Sequence, residues 1–305
     1  MKTAIISVSV ATVWTNPEKP LEKDQAALTN PVDVRGWLDS LSVDEKLGFY
    51  DNNAIQTQAL YGTRVEIMEE QGEWAHILIP DQQCRKDERG YPGWVPSRQL
   101  AAWNDAFDVQ DGQQMAQVTA SFARLHNAAG QPGIELAFLT RLPILVENDG
   151  WVKVATTDGE GFLRREDLAI IQANRPVDIK GNRGEAIVES GKRFLNLHYL
   201  WGGMSSYGYD CSGFAYNMHR SVGIQIPRDA VDQAQAGQWV EKSELQPGDL
   251  LFFAHEEGKG RVHHVGIYYG NNQMIHSPDS LSSIEIVNLT GYKLEKEHVI
   301  SRRYW

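Results

Sequence analysis

Alternation of apolar and polar residues marks the chain from its start. Ile6, Val8 and Val10 are spaced as the buried face of a β-strand requires, with Ser7 and Ser9 between them. The period then changes: over residues 32–47, Trp37, Leu38, Leu41 and Leu47 fall on one side of a helix. Extended segments return, and they return twice. Thr63-Arg64-Val65-Glu66-Ile67-Met68 followed by Trp74 matches Thr140-Arg141-Leu142-Pro143-Ile144-Leu145 followed by Trp151, each pair standing 77 positions apart. Each copy closes on a Gly-aromatic-aliphatic segment, Gly93-Trp94-Val95 ahead of Leu100 and Gly161-Phe162-Leu163 ahead of Leu168. The first copy is nine residues longer, and the excess falls around the charged run from Cys84 to Tyr91. Short strands joined by Gly-containing turns predict two small all-β barrels, the first decorated by the helical insertion.

The last third of the chain has another rhythm. Val177 to Arg183 reads as a junction, and Glu185 to Leu197 as an amphipathic helix carrying Ile187, Val188 and Phe194. A second helix opens at Cys211 and continues through Phe214 to Met218. Strands are predicted at Asp249–Phe253, Val265–Tyr269 and Met274–His276. Helices ahead of an antiparallel sheet describe an α+β domain. The expected division is therefore 1–104, 105–176 and 177–305.

A length of 305 residues suits two or three domains, and 42% hydrophobic with 10% aromatic content is ordinary for a soluble globular protein. The net charge of −11 argues against nucleic acid and against an anionic membrane as partners. Near the N-terminus one Lys precedes an apolar stretch broken by Ser7 and Ser9, more polar than an export core, so a cytoplasmic location is expected. Two cysteines make no disulfide framework. Cys84 lies in the polar run from Asp81 to Gly90 and reads as an incidental thiol.

Cys211 is different. It stands in Asp210-Cys211-Ser212-Gly213, at the first turn of a helix, where unpaired N–H groups and the helix dipole favour an anion. A lowered thiol pKa and a thiolate nucleophile are expected there. Asp210 can cap the helix, and Ser212 can either complete the cap or donate to a substrate carbonyl. A base must come from elsewhere. His263 and His264 are neighbours on a strand, so they face opposite ways and only one can serve. His264 shares its face with Gly266, whose missing side chain would leave room for a substrate backbone. A hairpin through Gly270-Asn271-Asn272 would bring His276 beside His264. Cys211, His264 and His276 could offer three metal ligands, but no C-x-x-C or H-E-x-x-H spacing occurs, and neither metal nor other cofactor is expected.

Six blocks occur in order over this region: Tyr199-Leu200-Trp201-Gly202-Gly203, Asp210-Cys211-Ser212-Gly213-Phe214, Pro227-Arg228-Asp229-Ala230, Pro247-Gly248-Asp249-Leu250, His264-Val265-Gly266-Ile267-Tyr268 and Ile275-His276. With them, residues 184–305 resemble the NlpC/P60 family of papain-like cysteine peptidases, and the upstream repeats resemble bacterial SH3-like (SH3b) modules. The resemblance implies Cys211 as nucleophile and His264 as base, because the family's histidine directly precedes Val-Gly-Ile-Tyr. It implies His276 as the group that orients His264, and Tyr199 as a hydroxyl helping the Cys211 N–H to hold an oxyanion. Members of this architecture hydrolyse murein peptides at the bond between γ-D-glutamate and an L-diamino acid, diaminopimelate or lysine, and commonly need a free N-terminal L-Ala. On that likeness Asp229 would pair with the L-Ala ammonium, and Tyr91 would wall off the cleft beyond it. Two other readings of the residues are a wall-binding protein with an inert C-terminal domain and a Cys–His amidase or acyltransferase.

Overall fold

The computed structural model describes residues 2–305, and contacts divide it into two units. The first runs up to Asp81 and adds Arg89–Pro176 and Ser205–Tyr207; the second holds Gln82–Glu88, Val177–Met204 and Gly208–Trp305.

Strands β1 (Lys2–Ile6), β2 (Val10–Trp14), β3 (Ile55–Leu60), β4 (Arg64–Gln71), β5 (Trp74–Ile79), β6 (Tyr91–Pro96) and β7 (Leu100–Ala102) make one sheet of the first unit, in the order β3-β2-β6-β5-β4-β1-β7. Strands β8 (Gln114–Val118), β9 (Phe122–His126), β10 (Pro132–Ala137), β11 (Arg141–Asn148), β12 (Trp151–Thr156), β13 (Gly159–Arg164) and β14 (Leu168–Gln172) make the other, in the order β10-β9-β13-β12-β11-β8-β14. Each strand of the second sheet takes the place of the strand seven before it, so the sequence repeat is a repeat of architecture. Its two closing glycines are equivalent in space. Gly93 faces Ile77 and Gly161 faces Val154 across their ladders. A Cβ at Gly93 would meet Val13 of β2 at 2.5 Å, and one at Gly161 would meet Leu125 of β9 at 2.7 Å. Both glycines let the same neighbouring strand pack across.

Ile6 to Val10 departs from the single predicted strand. The chain bends at Ser7–Ser9, so that Ile6 ends β1 beside β4 and β7 while Val10 opens β2 beside β3 and β6. Ile5, Ile6, Val8 and Val10 are all fully buried, which alternation on one strand would not give. Residues 32–47 likewise form not one helix but parts of two. After α1 (Gln25–Leu28), α2 (Val34–Ser40) stops at the extended Leu41, and Ser42 caps α3 (Val43–Asp51) in a capping box with Glu45. Trp37 packs its ring 6.3 Å from Trp14 and 5.5 Å from Phe49. Ile5 and Tyr61 join the core of the second barrel, and the Tyr61 hydroxyl accepts from the Thr157 N–H at 2.9 Å.

Beyond the second sheet the chain forms α4 (Arg183–Lys192), the two short paired strands β15 (Met204–Ser205) and β16 (Gly208–Tyr209), then α5 (Cys211–Ser221) and α6 (Ala230–Gln233). The sheet of the second unit comprises β17 (Gln238–Trp239), β18 (Leu250–Ala254), β19 (Val262–Gly270), β20 (Gln273–His276), β21 (Glu285–Asn288) and β22 (His298–Arg303), ordered β17-β22-β18-β19-β20-β21. Helix α5 packs on β19 and β20 and against α4. Asn271 and Asn272, both at positive φ (50° and 61°), make the tight turn that returns β20 alongside β19. No helix is long and apolar enough to cross a membrane among the described residues.

Candidate active site

Cys211 is the first residue of α5, and Asp210 is its cap. Oδ1 of Asp210 accepts from the Gly213 N–H at 2.6 Å and from the Ser212 hydroxyl at 3.1 Å. Gly213 is required by close approach, since a Cβ there would collide with the Gly203 carbonyl. Arg228, absent from the sequence-derived site, lies beneath this turn and is almost fully buried. Its Nη2 donates to Asp210 Oδ2 at 2.6 Å, and its Nη1 to Asp210 Oδ1 at 3.2 Å and Ser212 Oγ at 2.8 Å. Ser212 therefore completes the cap. Its single proton goes to Asp210, leaving it an acceptor rather than a donor for a ligand.

The thiol is not lowered as the helix terminus alone would make it. Burial, followed by the Asp210 carboxylate, pushes Cys211 up to about 12. The Val265 N–H, the Arg228 guanidinium and the Ser212 N–H pull the other way and do not win. The Val265 N–H against the sulfur does fix the neighbourhood, because His264 is the preceding residue of β19.

The two adjacent histidines diverge. His263 turns to Glu297, with Nε2 2.8 Å from Oε2, and stacks on His255 with centroids 4.0 Å apart. His264 is buried, with Nε2 2.8 Å from Nδ1 of His276, their rings inclined at 82°. On its other side His276 Nε2 lies 3.3 Å from the Tyr292 hydroxyl and 3.5 Å from Glu285 Oε1. Glu285 accepts only, so the proton of His276 belongs on Nε2 and its Nδ1 accepts from His264 Nε2–H. Nδ1 of His264 is then the unprotonated nitrogen, the form a base needs. Burial foremost, then His276 and His263, holds His264 well below the usual imidazole range. Burial, then Lys293, holds His276 down to about 3. Burial thus favours the uncharged forms of the thiol and of both imidazoles. Glu285 and Tyr292 were not legible in the sequence, because only the β20–β21 register sets Glu285 opposite His276.

The space above Gly266 is not open to a substrate backbone. A Cβ there would meet Met274 Sδ at 2.8 Å and His276 Cβ at 3.3 Å, so the glycine makes room for its sheet neighbours. Tyr199 is buried, and its hydroxyl is raised well above the ordinary phenol range by burial first and then by its acidic neighbours Cys211 and Asp210. It stays a donor. Among the described residues no group of three or more His, Cys, Asp or Glu is arranged to hold a metal ion.

Asp229 occupies the cap position of α6 without its side chain capping it. Its carboxylate lies 4.0 Å from Arg228 Nη1 and 3.8 Å from Lys86 Nζ. Lys86 comes from Gln82–Glu88, which overlaps the longer part of the first repeat and belongs by contact to this unit. Arg228 N–H donates to the Gln83 carbonyl at 2.9 Å, and Arg85 N–H to Asp232 Oδ2 at 3.0 Å. Tyr91 follows that segment as the first residue of β6, in the other unit, buried opposite Ile79. Neither cysteine is in a disulfide, and Cys84 is half-buried within the same segment.

Residues 196–303 match the model of the NlpC/P60 family, 118–170 that of the YKFC SH3b2 domain, and 51–100 that of the bacterial dipeptidyl-peptidase Sh3 domain. The gamma-D-glutamyl-L-lysine dipeptidyl-peptidase of Bacillus subtilis (strain 168) is 44% identical, over 97% of this chain and 96% of its own length. A protein of the same name from Bacillus cereus (strain ATCC 10987 / NRS 248) is 39% identical over 99% and 90%. The crystal structure of an NlpC/P60 family protein from Bacillus cereus ATCC 10987 covers 99% of both chains at 38% identity, with a TM-score of 0.94. A cysteine at a capped helix head, two coupled buried imidazoles and a likeness running through the barrels as well as the site lead to one assignment: the chain belongs to the NlpC/P60 family of cysteine peptidases.

Proposed function

We propose that the enzyme hydrolyses the bond between γ-D-glutamate and an L-diamino acid in murein peptides with a free N-terminal L-Ala, releasing L-Ala-γ-D-Glu. The names of the two full-length relatives support the linkage. The observation that carries the chemistry is the 2.8 Å contact between His264 and His276 beside the Cys211 helix head.

In the proposed reaction the Cys211 proton passes to His264 Nδ1 as the sulfur attacks the γ-carbonyl carbon. His276 Nδ1 accepts from His264 Nε2–H throughout and supports the imidazolium that forms. The Cys211 N–H and the Tyr199 hydroxyl hold the oxyanion. His264 then gives its proton to the leaving amine, and the C–N bond breaks to leave a thioester. Water, losing a proton to His264, attacks the thioester; the sulfur leaves and takes that proton back. Starting from a neutral pair restricts charge separation to the moment the acyl group is in place. Asp229 takes the L-Ala ammonium in this reading, and Tyr91 closes the cleft beyond it on the strength of the family likeness. The same proposal divides the chain into barrels at 1–104 and 105–176 and a catalytic domain at 177–305. It also assigns the activity to cytoplasmic recycling of short murein peptides.

Purified protein incubated with L-Ala-γ-D-Glu-L-Lys-D-Ala is expected to release L-Ala-γ-D-Glu, read by mass spectrometry, and Cys211→Ala is expected to release none. The N-acetylated peptide should resist. Equal cleavage of both peptides would remove the amine requirement, and release by Cys211→Ala would remove the mechanism.

A further inference from the structure

Lys86 is not placed like an ordinary surface lysine. The backbone just before it is pinned by Arg228 N–H on the Gln83 carbonyl and by Arg85 N–H on Asp232, while Arg85 Nε adds a 3.3 Å ion pair to Asp232 Oδ1. The ammonium is thereby held 3.8 Å from Asp229, with side chains 39% and 30% exposed, so both charges remain reachable. Burial pulls the Lys86 ammonium down in pKa, partly offset by Asp229, as for a cation that has lost some of its water. Arg228 ties this pair to the nucleophile, since the same Nη1 lies 3.2 Å from Asp210 and 4.0 Å from Asp229.

A peptide joined through the γ-carboxyl of glutamate differs chemically from an α-linked one. The carbon between the reacting γ-carbonyl arm and the L-Ala end carries a free α-carboxylate, which an α-linkage would consume. The acyl side thus presents an ammonium and a carboxylate close together, and Asp229 and Lys86, linked to the helix head through Arg228, present a carboxylate and an ammonium. We propose that Lys86 is a specificity-determining residue that binds the free α-carboxylate of the γ-linked D-glutamyl residue while Asp229 takes the α-ammonium. This rests on the reading of Asp229 given above. In the empty enzyme Asp229 faces both Lys86 and Arg228; with substrate, the Lys86–Asp229 contact is exchanged for two charge-assisted contacts to the peptide. The nine extra residues of the first repeat then have a purpose that barrel folding does not give them.

The test compares kcat/KM for L-Ala-γ-D-Glu-L-Lys and for its α-carboxamide analogue, L-Ala-γ-D-isoglutaminyl-L-Lys. The wild-type enzyme is expected to favour the carboxylate by roughly tenfold, the scale of one partly exposed charge-assisted contact. Lys86→Met should bring the ratio near one, chiefly by raising KM for the acidic peptide, and Lys86→Arg should keep most of the preference. The ratio is read within each variant, so a general loss of folded enzyme does not move it; Lys86→Gln serves if Lys86→Met yields no activity. An unchanged ratio overturns the proposal. So does a gain on both peptides, which would make Lys86 an internal competitor for Asp229. N-acetyl forms run in parallel report separately on Asp229: if they are cleaved as fast as the free amines, that reading falls whatever the Lys86 ratio shows.

Discussion

Arg228 grips Asp210 with both arms of its guanidinium, at 2.6 and 3.2 Å, immediately before the nucleophile. The carboxylate is needed as the helix cap, yet its charge opposes ionisation of the neighbouring sulfur. The guanidinium answers that charge at the distance where an ion pair is strongest and also holds Ser212. A cap of this kind costs the thiol less than a bare buried carboxylate would.

Arg228→Met should therefore be worse than the loss of one contact. It leaves Asp210 buried and uncompensated, and removing one partner of such a pair typically costs about 3–5 kcal/mol. Urea unfolding should show the loss, and alkylation of Cys211 at pH 8 should slow because its thiol rises further. Adding Asp210→Asn, which keeps an oxygen for the Gly213 N–H, should recover part of the stability. A single variant as stable as wild type would show that the pair does not support the helix head.

His276 acts on the reaction through His264. His276→Ala removes the acceptor for His264 Nε2–H, frees the ring to adopt the other tautomer, and is expected to lower kcat by roughly 10²–10³-fold with little change in KM. His276→Gln can still accept and should retain more activity than alanine. Steady-state kinetics on the free-amine tetrapeptide measure both, and equal activity of the alanine and wild-type enzymes would exclude an orienting role.

Buried imidazoles also make the fold acid-sensitive. Burial holds His219 down to about 4, His276 to about 3 and His264 well below its usual range. An unfolded chain takes up these protons near pH 6.5. The folded chain refuses them until much lower pH. Between those limits the unfolded state binds more protons, so stability falls as pH drops below about 6.5 and is unaffected by these groups above it. The expected loss by pH 4.5 is roughly 2–3 kcal/mol per imidazole. Urea midpoints between pH 7.5 and 4.5 read this directly, and a flat profile would contradict it.

Much of this was legible in the sequence because strands advertise their buried face. The 77-residue repeat announced both barrels, and alternation sent His263 and His264 to opposite sides, as Glu297 and His276 show. Strands β21 and β22 of the catalytic sheet carried no such signal: Glu285–Asn288 and His298–Arg303 mix charge with aliphatics and are largely half-buried. The break at Leu41 escaped the helical spacing, although Ser42 and Glu45 spell a capping box. The direction of the Cys211 shift could not be read at all. A helix terminus is a local feature, whereas the shift is set first by burial in the folded chain and then by the Asp210 charge. Gly266 failed for the same reason, its vacancy being filled from the neighbouring strand.

Tyr292 extends the relay one residue beyond His276. Its hydroxyl lies 3.3 Å from His276 Nε2 and donates toward Glu285 Oε1 at 3.5 Å, and burial followed by Glu285 keeps the phenol protonated. With its proton committed to Glu285, the Tyr292 oxygen accepts from His276 Nε2–H and so helps keep Nδ1 free for His264. Tyr292→Phe removes that acceptor but leaves Glu285 in place, so the expected effect is partial: kcat lower by roughly 3- to 10-fold, the scale of one neutral hydrogen bond, with KM unchanged. Combining it with Glu285→Leu removes both acceptors and should approach the loss seen for His276→Ala. Nitrogen-15 spectra of His276 separate this from a simple packing defect, because the Nε2-protonated form should dominate in wild type and give way to a tautomer mixture in the double variant. A double variant with wild-type kcat and an unmoved His276 signal would confine the relay to Cys211, His264 and His276.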